Sequence, residues 1–246
     1  MTASSIFAPK KEYTPYLIYT LLLVGRTKYV NRNLPNQFSL SIPQDWHSDN
    51  PGHWAFLWDH KDFQDRLVWL WEKLSEHYKD NAWIAGFNVL NEPCDPKHTR
   101  LIDVYDRLHN TIRKIDTKHV IFLDGNTFAS DFSHFGESYK KWTNTAYSIH
   151  DYSSYGFPQA PEFYTSSEDQ KARLNKSFER KREWMVEKGL CVWNGEWGPV
   201  YARKQYDGEA TDKINESRYR LLKDQLEIYD KVCVWKALWP ILLTII

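Results

Sequence analysis

The sequence predicts an α/β protein built as a (β/α)8 barrel, because helix and strand patterns alternate and polar side chains follow successive strands. From about residue 59 onward, amphipathic segments alternate with short, almost continuously apolar runs. Such runs between helices are typical of a parallel sheet that is covered on both faces. Polar residues follow four successive strands. This favours a barrel, where active sites form along that whole edge, over an open sheet, which binds ligands at one switch point.

Four segments have the apolar spacing of helices, and five short runs have the length of strands. The pattern is clearest at residues 62–79, where apolar side chains recur every three or four positions from Phe63 to Tyr78. The predicted helices span 62–79, 98–115, 168–188 and 215–230, and the predicted strands span 83–90, 120–123, 146–149, 190–193 and 232–235. The apolar run 16–24 predicts a further buried strand or short helix, since it is too short to cross a bilayer.

The composition excludes one class of function and favours another. The 246 residues suffice for one large domain with a substantial core, and they carry 32 basic and 32 acidic side chains. A chain without net charge lacks the electrostatic footprint of a nucleic-acid-binding protein. Aromatic residues make up 16% of the chain, with 12 Trp and 15 Tyr. Most of these rings belong in the core, but aromatic faces also stack on sugar rings.

Two glutamates occupy the most informative positions of the sequence, Glu92 and Glu196. Each follows an apolar run and is surrounded by Asn, Gly, Trp or Pro, which suit a shaped pocket. Two neighbouring carboxyl groups are the minimum equipment for cleaving a glycosidic bond, one as the proton donor and the other as the nucleophile or base. Two structural alternatives remain: Glu92 could cap helix 98–115, and Glu196 could be an acceptor at a turn.

Other catalytic motifs are absent from the sequence. No glycine fingerprint follows a predicted strand, which argues against a dinucleotide or phosphate site. No Gly-x-Ser-x-Gly elbow occurs, so a hydrolase with a serine nucleophile is a poor alternative. His98, His109, His119 and His134 lack the spacing of metal ligands, and we therefore predict neither a metal nor another cofactor.

Three segments resemble glycoside hydrolase family 5, the cellulase family of retaining TIM-barrel glycosidases. They are Asn91-Glu92-Pro93, His150-Asp151-Tyr152 and Asn194-Gly195-Glu196-Trp197-Gly198-Pro199. The order of the segments and the 104 residues between the two glutamates (196 − 92) fit that family. The surrounding sequence looks most like fungal members, and the resemblance covers residues 44 to 231.

The resemblance implies a role for five residues of the site. Glu92 would be the general acid/base, and Asn91 beside it would bind the 2-hydroxyl group of the sugar. Glu196 would be the nucleophile, while His150 and Tyr152 would contact the substrate and orient that nucleophile. The implied activity is double displacement at a β-linked glucan, oligosaccharide or β-glycoside. The alternative is a catalytically inactive sugar-binding protein or a vestigial fragment of such an enzyme.

Two tryptophans are further candidates for sugar binding. We expect Trp197, which follows the second glutamate, to stack on a sugar ring. The resemblance implies that a tryptophan after the last strand forms the floor of the site, and Trp239 is the candidate. Both tryptophans would supply the flat apolar faces that sugar rings contact.

We expect the barrel to be incomplete, with its first strands missing or altered. Only five strands can be assigned after residue 44, and Pro240 would interrupt a continuation of the last one. The predicted division is therefore an atypical N-terminal segment, 1–43, and a partial barrel domain, 44–246. This alteration of the N-terminal part motivates the inactive alternative.

The expected partner is a carbohydrate substrate, bound by a monomer without nucleic-acid or membrane contacts. The run 16–24 follows two lysines, as in a signal peptide, but no small-residue cleavage site comes after it. We expect a soluble protein, cytoplasmic as the chain stands, or secreted if a lost N-terminus carried a signal peptide.

Overall fold

The computed structural model describes residues 16–19, 56–153, 155, 162–232 and 235–236. The strands are β1 (Tyr16–Tyr19), β2 (Ile84–Asn88), β3 (Val120–Asp124), β4 (Thr145–Tyr152), β5 (Val192–Gly198) and β6 (Trp235–Lys236). The helical segments are α1 (Phe56–Asp59), α2 (Lys61–Tyr78), α3 (Arg100–Arg113), α4 (Asn126–Ala129), α5 (Glu168–Lys188), α6 (Lys204–Asp207) and α7 (Thr211–Asp230). Short 3₁₀ turns lie at Ser138–Lys140 and Gly208–Ala210.

The six strands form one parallel sheet in which neighbours in the sheet are also neighbours in the sequence. Its order is β1-β2-β3-β4-β5-β6, and every pair is parallel. A doubly wound sheet reverses its strand order at a switch point, whereas a (β/α)8 barrel keeps the order of the chain. The sheet therefore confirms the predicted fold class as part of a barrel, with six strands in the described residues against eight in a closed barrel.

Most predicted elements coincide with observed ones, but two strands extend further at their carboxyl ends. β4 and β5 continue together as far as the pair Tyr152 and Gly198, because their ladder is maintained to that point. His150, Tyr152 and Glu196 therefore lie within strands rather than in loops. Helix α7 begins at Thr211, four residues before the predicted start at 215.

The run predicted at 16–24 contributes strand β1, which pairs with β2. The predicted domain boundary at residues 43 and 44, the candidate Trp239 and the interrupting Pro240 lie outside the described residues. Among the helices that the structure describes, none is both long and apolar enough to cross a bilayer.

Apolar faces of the helices cover the sheet and fix the strands that carry the site. On α3, Leu101, Leu108 and Ile112 are fully buried, as the helical spacing requires. On α2, Trp71 is fully buried, and its indole N–H donates a hydrogen bond of 2.8 Å to the carbonyl of Val89, just after β2. The core therefore holds the chain that leads from β2 toward Glu92.

A buried lysine of α5 holds the carboxyl end of β4. Lys181 is 7% exposed, and its ammonium donates to the carbonyl of His150 at 2.9 Å and to the Asp151 carboxylate at 2.7 Å. The Tyr229 hydroxyl of α7 donates to the same carboxylate at 2.7 Å. Because successive side chains of a strand point to opposite faces, Asp151 points toward the helices while His150 points toward the site.

Candidate active site

Glu92 and Glu196 lie together at the carboxyl edge of the sheet, with His150 beside them. Carboxylate oxygens of the two glutamates and a ring nitrogen of His150 all lie within 4.8 Å of one another. The Nδ1 atom of His150 is 2.8 Å from Glu92 Oε1 and 3.6 Å from Glu196 Oε2. The glutamate side chains are 13% and 11% exposed, so both are mostly withdrawn from water and still reachable.

Glu92 is held in an unusual backbone conformation by the end of β3. It lies four residues beyond β2 and has a φ of +45°, in the left-handed region that non-glycine residues rarely adopt. Its backbone N–H donates to Asp124 Oδ2 at 2.9 Å. Asp124 is fully buried and also accepts a hydrogen bond of 2.6 Å from the side-chain amide of Asn88. Asp124 thus connects β2, β3 and the loop that bears Glu92.

Strand β4 brings two side chains into the site from alternate positions, since residues i and i+2 share one face of a strand. The Tyr152 hydroxyl donates a hydrogen bond of 3.1 Å to Glu196 Oε2. His150 contacts Glu92 more closely than Glu196, and its Nε2 atom lies 3.5 Å from Asp124 Oδ2. His150 therefore lies between three carboxylates.

Strand β5 presents Glu196 through a β-bulge at Gly195. The register pairs Ile149 with Asn194 and then His150 with Glu196, so Gly195 is the extra residue of β5. A Cβ atom at Gly195 would lie only 2.7 Å from Ser148 Oγ and 3.2 Å from His150 Nε2. Side chains of the neighbouring strand therefore approach the backbone of Gly195 closely, and a larger residue here would displace Ser148 or His150.

The bulge also explains why Trp197 occupies a different place from the one expected. Its side chain is 1% exposed, and its ring packs edge-on against Tyr229 of α7, with 5.3 Å between the ring centroids. Trp197 therefore packs between the sheet and the helix layer, with no exposed face for a sugar. This corrects the expectation, drawn from the sequence, that its ring stacks on the substrate.

Asn91, the residue before Glu92, has an unsatisfied acceptor. Its side-chain oxygen is buried and has no hydrogen-bond partner among the described residues. A buried polar atom without a partner is costly, and such an atom at a cleft is suited to a hydroxyl group from a ligand.

Burial and neighbouring charges shift the pKa values of the side chains in the site. Burial raises the pKa of Glu196, the charge of Glu92 adds to this, and His150 opposes it. Burial alone would lower the pKa of His150, but Asp124 and the hydrogen bond with Glu92 outweigh it and raise that pKa above 6.5. Burial also raises the pKa of Asp124. The group consequently retains protons more strongly than the same side chains would in water.

Neither Asp124 nor Asn88 was predicted as a site residue, although both belong to the hydrogen-bond network around Glu92. Its place in the sequence could have indicated Asp124, because this residue ends an apolar strand at the same edge of the sheet as Glu92 and Glu196.

Two groups of side chains in the described residues have atoms close enough to share a cation. One is Glu92 with His150 and Glu196, and the other is His98 with Asp131 and His134. In the first group, the histidine is already hydrogen-bonded to a glutamate.

A parallel α/β sheet with two adjacent carboxylates at its carboxyl edge has the arrangement of the (β/α)8 glycosidases. The family model of cellulases, glycosyl hydrolase family 5, matches residues 42–237. The chain belongs to this family.

Relatives and solved structures agree with this membership. A beta-xylosidase of Phanerodontia chrysosporium is 65% identical over 195 residues, which are 79% of this chain and 41% of that protein. An endoglycoceramidase of Cyanea nozakii is 30% identical over 118 residues, covering 40% of this chain and 23% of that protein. The first relative is fungal, as the sequence resemblance implied.

Two solved structures have the same fold at low sequence identity. An endoglucanase superposes with a TM-score of 0.58 at 16% identity, and Thermotoga maritima Cel5A in complex with mannotriose does so with 0.58 at 20% identity. Each match covers 76% of this chain and 62% of the solved chain. The chain therefore spans less than two thirds of the length of the relatives and structures that it matches here.

Proposed function

We propose that the chain is the catalytic part of a retaining glycoside hydrolase that acts on β-linked sugars. The observation that carries this proposal is the approach of Glu92 and Glu196 to within 4.8 Å at the carboxyl edge of the sheet. Retaining enzymes hold their carboxyl groups about 5 to 5.5 Å apart, whereas inverting enzymes need more space for a water molecule. The short distance therefore supports double displacement.

Each glutamate has a defined part in the two steps. Glu196 attacks the anomeric carbon, while Glu92 gives its proton to the departing glycosidic oxygen, which leaves as an alcohol. Glu92 then takes a proton from water, and the resulting hydroxide displaces Glu196 from the sugar. The hydrogen bond from Tyr152 and the nearby His150 favour the ionised form of Glu196 that attack requires, against the effect of burial.

Supporting roles follow from the contacts around the glutamates. Asn91 offers its unsatisfied oxygen to a sugar hydroxyl. His150 orients Glu92, to which it is hydrogen-bonded, and Tyr152 orients Glu196. We also propose that the active unit is a monomer whose barrel domain begins at residue 44.

The names of the relatives indicate which substrates to test first. The relative with 65% identity is a beta-xylosidase, so aryl β-xylosides come first. Aryl β-glucosides come second, because endoglucanases share the fold. Other β-linked oligosaccharides complete the set.

The decisive experiment separates the two glutamates by the leaving group of the substrate. We expect Glu196→Gln to abolish turnover of every aryl β-glycoside, because the amide cannot form the glycosyl intermediate. Glu92→Gln should lower kcat/KM by about 100-fold or more with a poor leaving group, but far less with a good one, which departs without protonation. Steady-state rates with aryl glycosides of graded leaving-group acidity provide the measurement.

Glu187→Gln is the matched control, since Glu187 is an exposed glutamate of α5 and does not belong to the cluster of Glu92, His150 and Glu196. Full activity of Glu196→Gln would refute the assignment of the nucleophile. A folded wild-type chain that binds oligosaccharides in calorimetry but hydrolyses none of them would instead support the inactive sugar-binding alternative. That alternative is motivated by the partial coverage of the beta-xylosidase, at 41% of its length.

A further inference from the structure

Only two lysine or arginine side chains are buried in the part of the chain that the structure describes, Lys181 and Arg218. Lys181 has its partners, since it donates to the Asp151 carboxylate and to a backbone carbonyl. Arg218 lies on α7 and is 6% exposed, yet its Nε and Nη1 atoms have no hydrogen-bond acceptor among the described residues. A buried charge without a partner is costly, so Arg218 requires an explanation that packing alone does not provide.

No acidic side chain of the described residues offsets the burial of Arg218. Burial lowers the pKa of its guanidinium below the usual value, and no neighbouring carboxylate of those residues opposes this effect. The buried carboxylate of the same helix, Asp224, instead accepts a hydrogen bond of 2.7 Å from the Tyr164 hydroxyl. A guanidinium stays protonated in proteins, so this side chain keeps a positive charge for which the described residues supply no counter-ion.

Contacts of the neighbouring residues place Arg218 near the carboxyl edge of the sheet. The side chain of Asn215 accepts from the backbone N–H of Ala202 at 2.7 Å, and Ala202 lies four residues beyond the end of β5. The Ser217 hydroxyl exchanges hydrogen bonds of 2.8 and 3.0 Å with the backbone of Tyr164, in the chain between β4 and α5. Helix α7 therefore begins at the edge that carries the glutamates, and Arg218 lies in its first half.

Arg218 belongs to the face of α7 that packs on the sheet. Leu221 and Gln225 lie on the same face, three and seven residues further along the helix, and both are fully buried. Gln225 donates to the carbonyl of Asp151 in β4 at 3.0 Å, which fixes this face against the strand. Helical side chains leave the backbone toward the N-terminus of their helix. The guanidinium is therefore directed toward the loops after β4 and β5 rather than toward the middle of the sheet.

We propose that Arg218 binds one oxyanion group, a carboxylate or a phosphate, beside the loops that follow β4 and β5. The planar guanidinium matches the paired oxygens of such a group, and it is the side chain that recognises them best. Because little water competes for a buried donor, each hydrogen bond to an incoming oxygen is stronger than it would be at the surface. The group belongs either to an acidic sugar or to a small anion taken from solution.

Anion binding at Arg218 does not depend on the proposed glycosidase activity. Its tests measure binding and unfolding, so a chain that hydrolyses nothing could still bind the anion, and an active one could fail to do so. If the anion is part of an acidic sugar, the inference also deepens the proposed function, because Arg218 would then favour substrates that carry a carboxylate.

The test uses the full chain in a buffer without phosphate, sulfate or carboxylates. Titration calorimetry with glucuronate and with inorganic phosphate should show saturable binding of one anion per chain for at least one of them. Binding of glucuronate alone would assign the site to acidic sugars, whereas binding of phosphate would assign it to small anions. The bound anion should also raise the Tm of the wild type, since a ligand that binds only the folded state stabilises it.

Arg218→Met should weaken the binding by about 30-fold or more and lose the rise in Tm, because the buried donors are gone. Without the anion, the same variant should unfold at the Tm of the wild type or above it, since it removes an unpaired buried charge and keeps an apolar stem. Arg220→Met, which changes an exposed arginine of the same helix, is the matched control and should bind as the wild type does.

Three results would overturn the proposal. The first is a wild type that binds neither anion, and the second is Arg218→Met with unchanged affinity. The third is a clearly lower Tm of Arg218→Met in the absence of the anion, which would mean that the guanidinium already has a partner in the free protein. An equal rise in Tm for the wild type and Arg218→Met would be a general effect of salt and would also contradict a site at Arg218.

Discussion

Asp124 is the residue on which the geometry around Glu92 depends. It is fully buried, yet it receives the backbone N–H of Glu92 and the amide of Asn88, and it lies 3.5 Å from His150. Hydrogen bonds that satisfy a buried carboxylate are strong, because no water competes for it. One side chain thus holds the left-handed backbone of Glu92 and supplies the negative charge beside His150.

Replacing Asp124 by asparagine should lower the pKa of His150. The carboxylate is the largest of the influences that raise this pKa, and without it burial dominates and favours the neutral ring. NMR titration of the imidazole resonances measures the pKa directly, with His150→Gln identifying the signal. Because the loop of Glu92 also loses part of its anchor, we expect kcat to fall by up to about 100-fold. An unchanged pKa would contradict the proposed pairing of Asp124 and His150.

The residues of the site differ in whether the nearby sequence is enough to identify them. Glu92 and Glu196 could be identified because each closes an apolar run between turn-forming residues. Asp124 closes such a run as well, but its importance comes from the convergence of three strands, which no local pattern reveals.

At the scale of elements, one extra residue in β5 changes the face of the sheet to which the following side chains point. The apolar run predicted a strand over 190–193, whereas β5 extends to Gly198 and contains a bulge at Gly195. In a regular strand, Trp193 and Trp197 would share a face, since four positions separate them. The bulge instead leaves Trp193 near Phe122 of β3, at 5.4 Å between ring centroids, and turns Trp197 toward α7. Apolar patterns do not reveal a bulge, so the stacking prediction failed.

The contact between α5 and β4 can be tested by replacing Lys181. Lys181→Met should lower the free energy of unfolding by about 3 kcal/mol, because it leaves the Asp151 carboxylate buried without its cation. It should also lower kcat, since the same ammonium holds the carbonyl of His150. Denaturant unfolding and steady-state rates provide the two measurements.

Lys176→Met is the matched control for this change, because Lys176 is an exposed lysine of the same helix. Its effect on stability should stay within about 0.5 kcal/mol. Equal losses in the two variants would mean that the buried pair of Lys181 and Asp151 does not hold β4.

At the scale of the whole molecule, the sequence predicted the class of fold better than its completeness. Alternating apolar and amphipathic segments are repeated in every βα unit, so the parallel sheet emerges even where single boundaries are off by a few residues. Strand order follows directly, because each helix returns the chain to the next position in the sheet. Closure of a barrel, in contrast, depends on all eight strands together, and the described sheet contains six.

The stability of the whole fold should depend on pH through Glu196, since the folded protein holds that proton more tightly than the unfolded chain. Burial, together with the charge of Glu92, raises the pKa of Glu196 above its usual 4.5. The stability linked to this proton is therefore fully present below pH 4.5 and is lost as the pH rises through the raised pKa. His150 acts in the same direction above pH 6.5, because its pKa is raised as well.

Glu196→Gln isolates the contribution of Glu196, since glutamine does not titrate. We expect the free energy of unfolding of this variant, relative to the wild type, to increase from pH 4.5 toward neutral pH. Each unit by which the pKa is raised contributes about 1.4 kcal/mol once the wild-type carboxyl is fully ionised. Urea unfolding of both proteins at a series of pH values measures the difference, and Glu187→Gln serves as the matched control. A difference that stays constant or decreases with pH would show that the ionised Glu196 is not disfavoured in the folded protein, and that its hydrogen bond with Tyr152 and the nearby His150 outweigh burial.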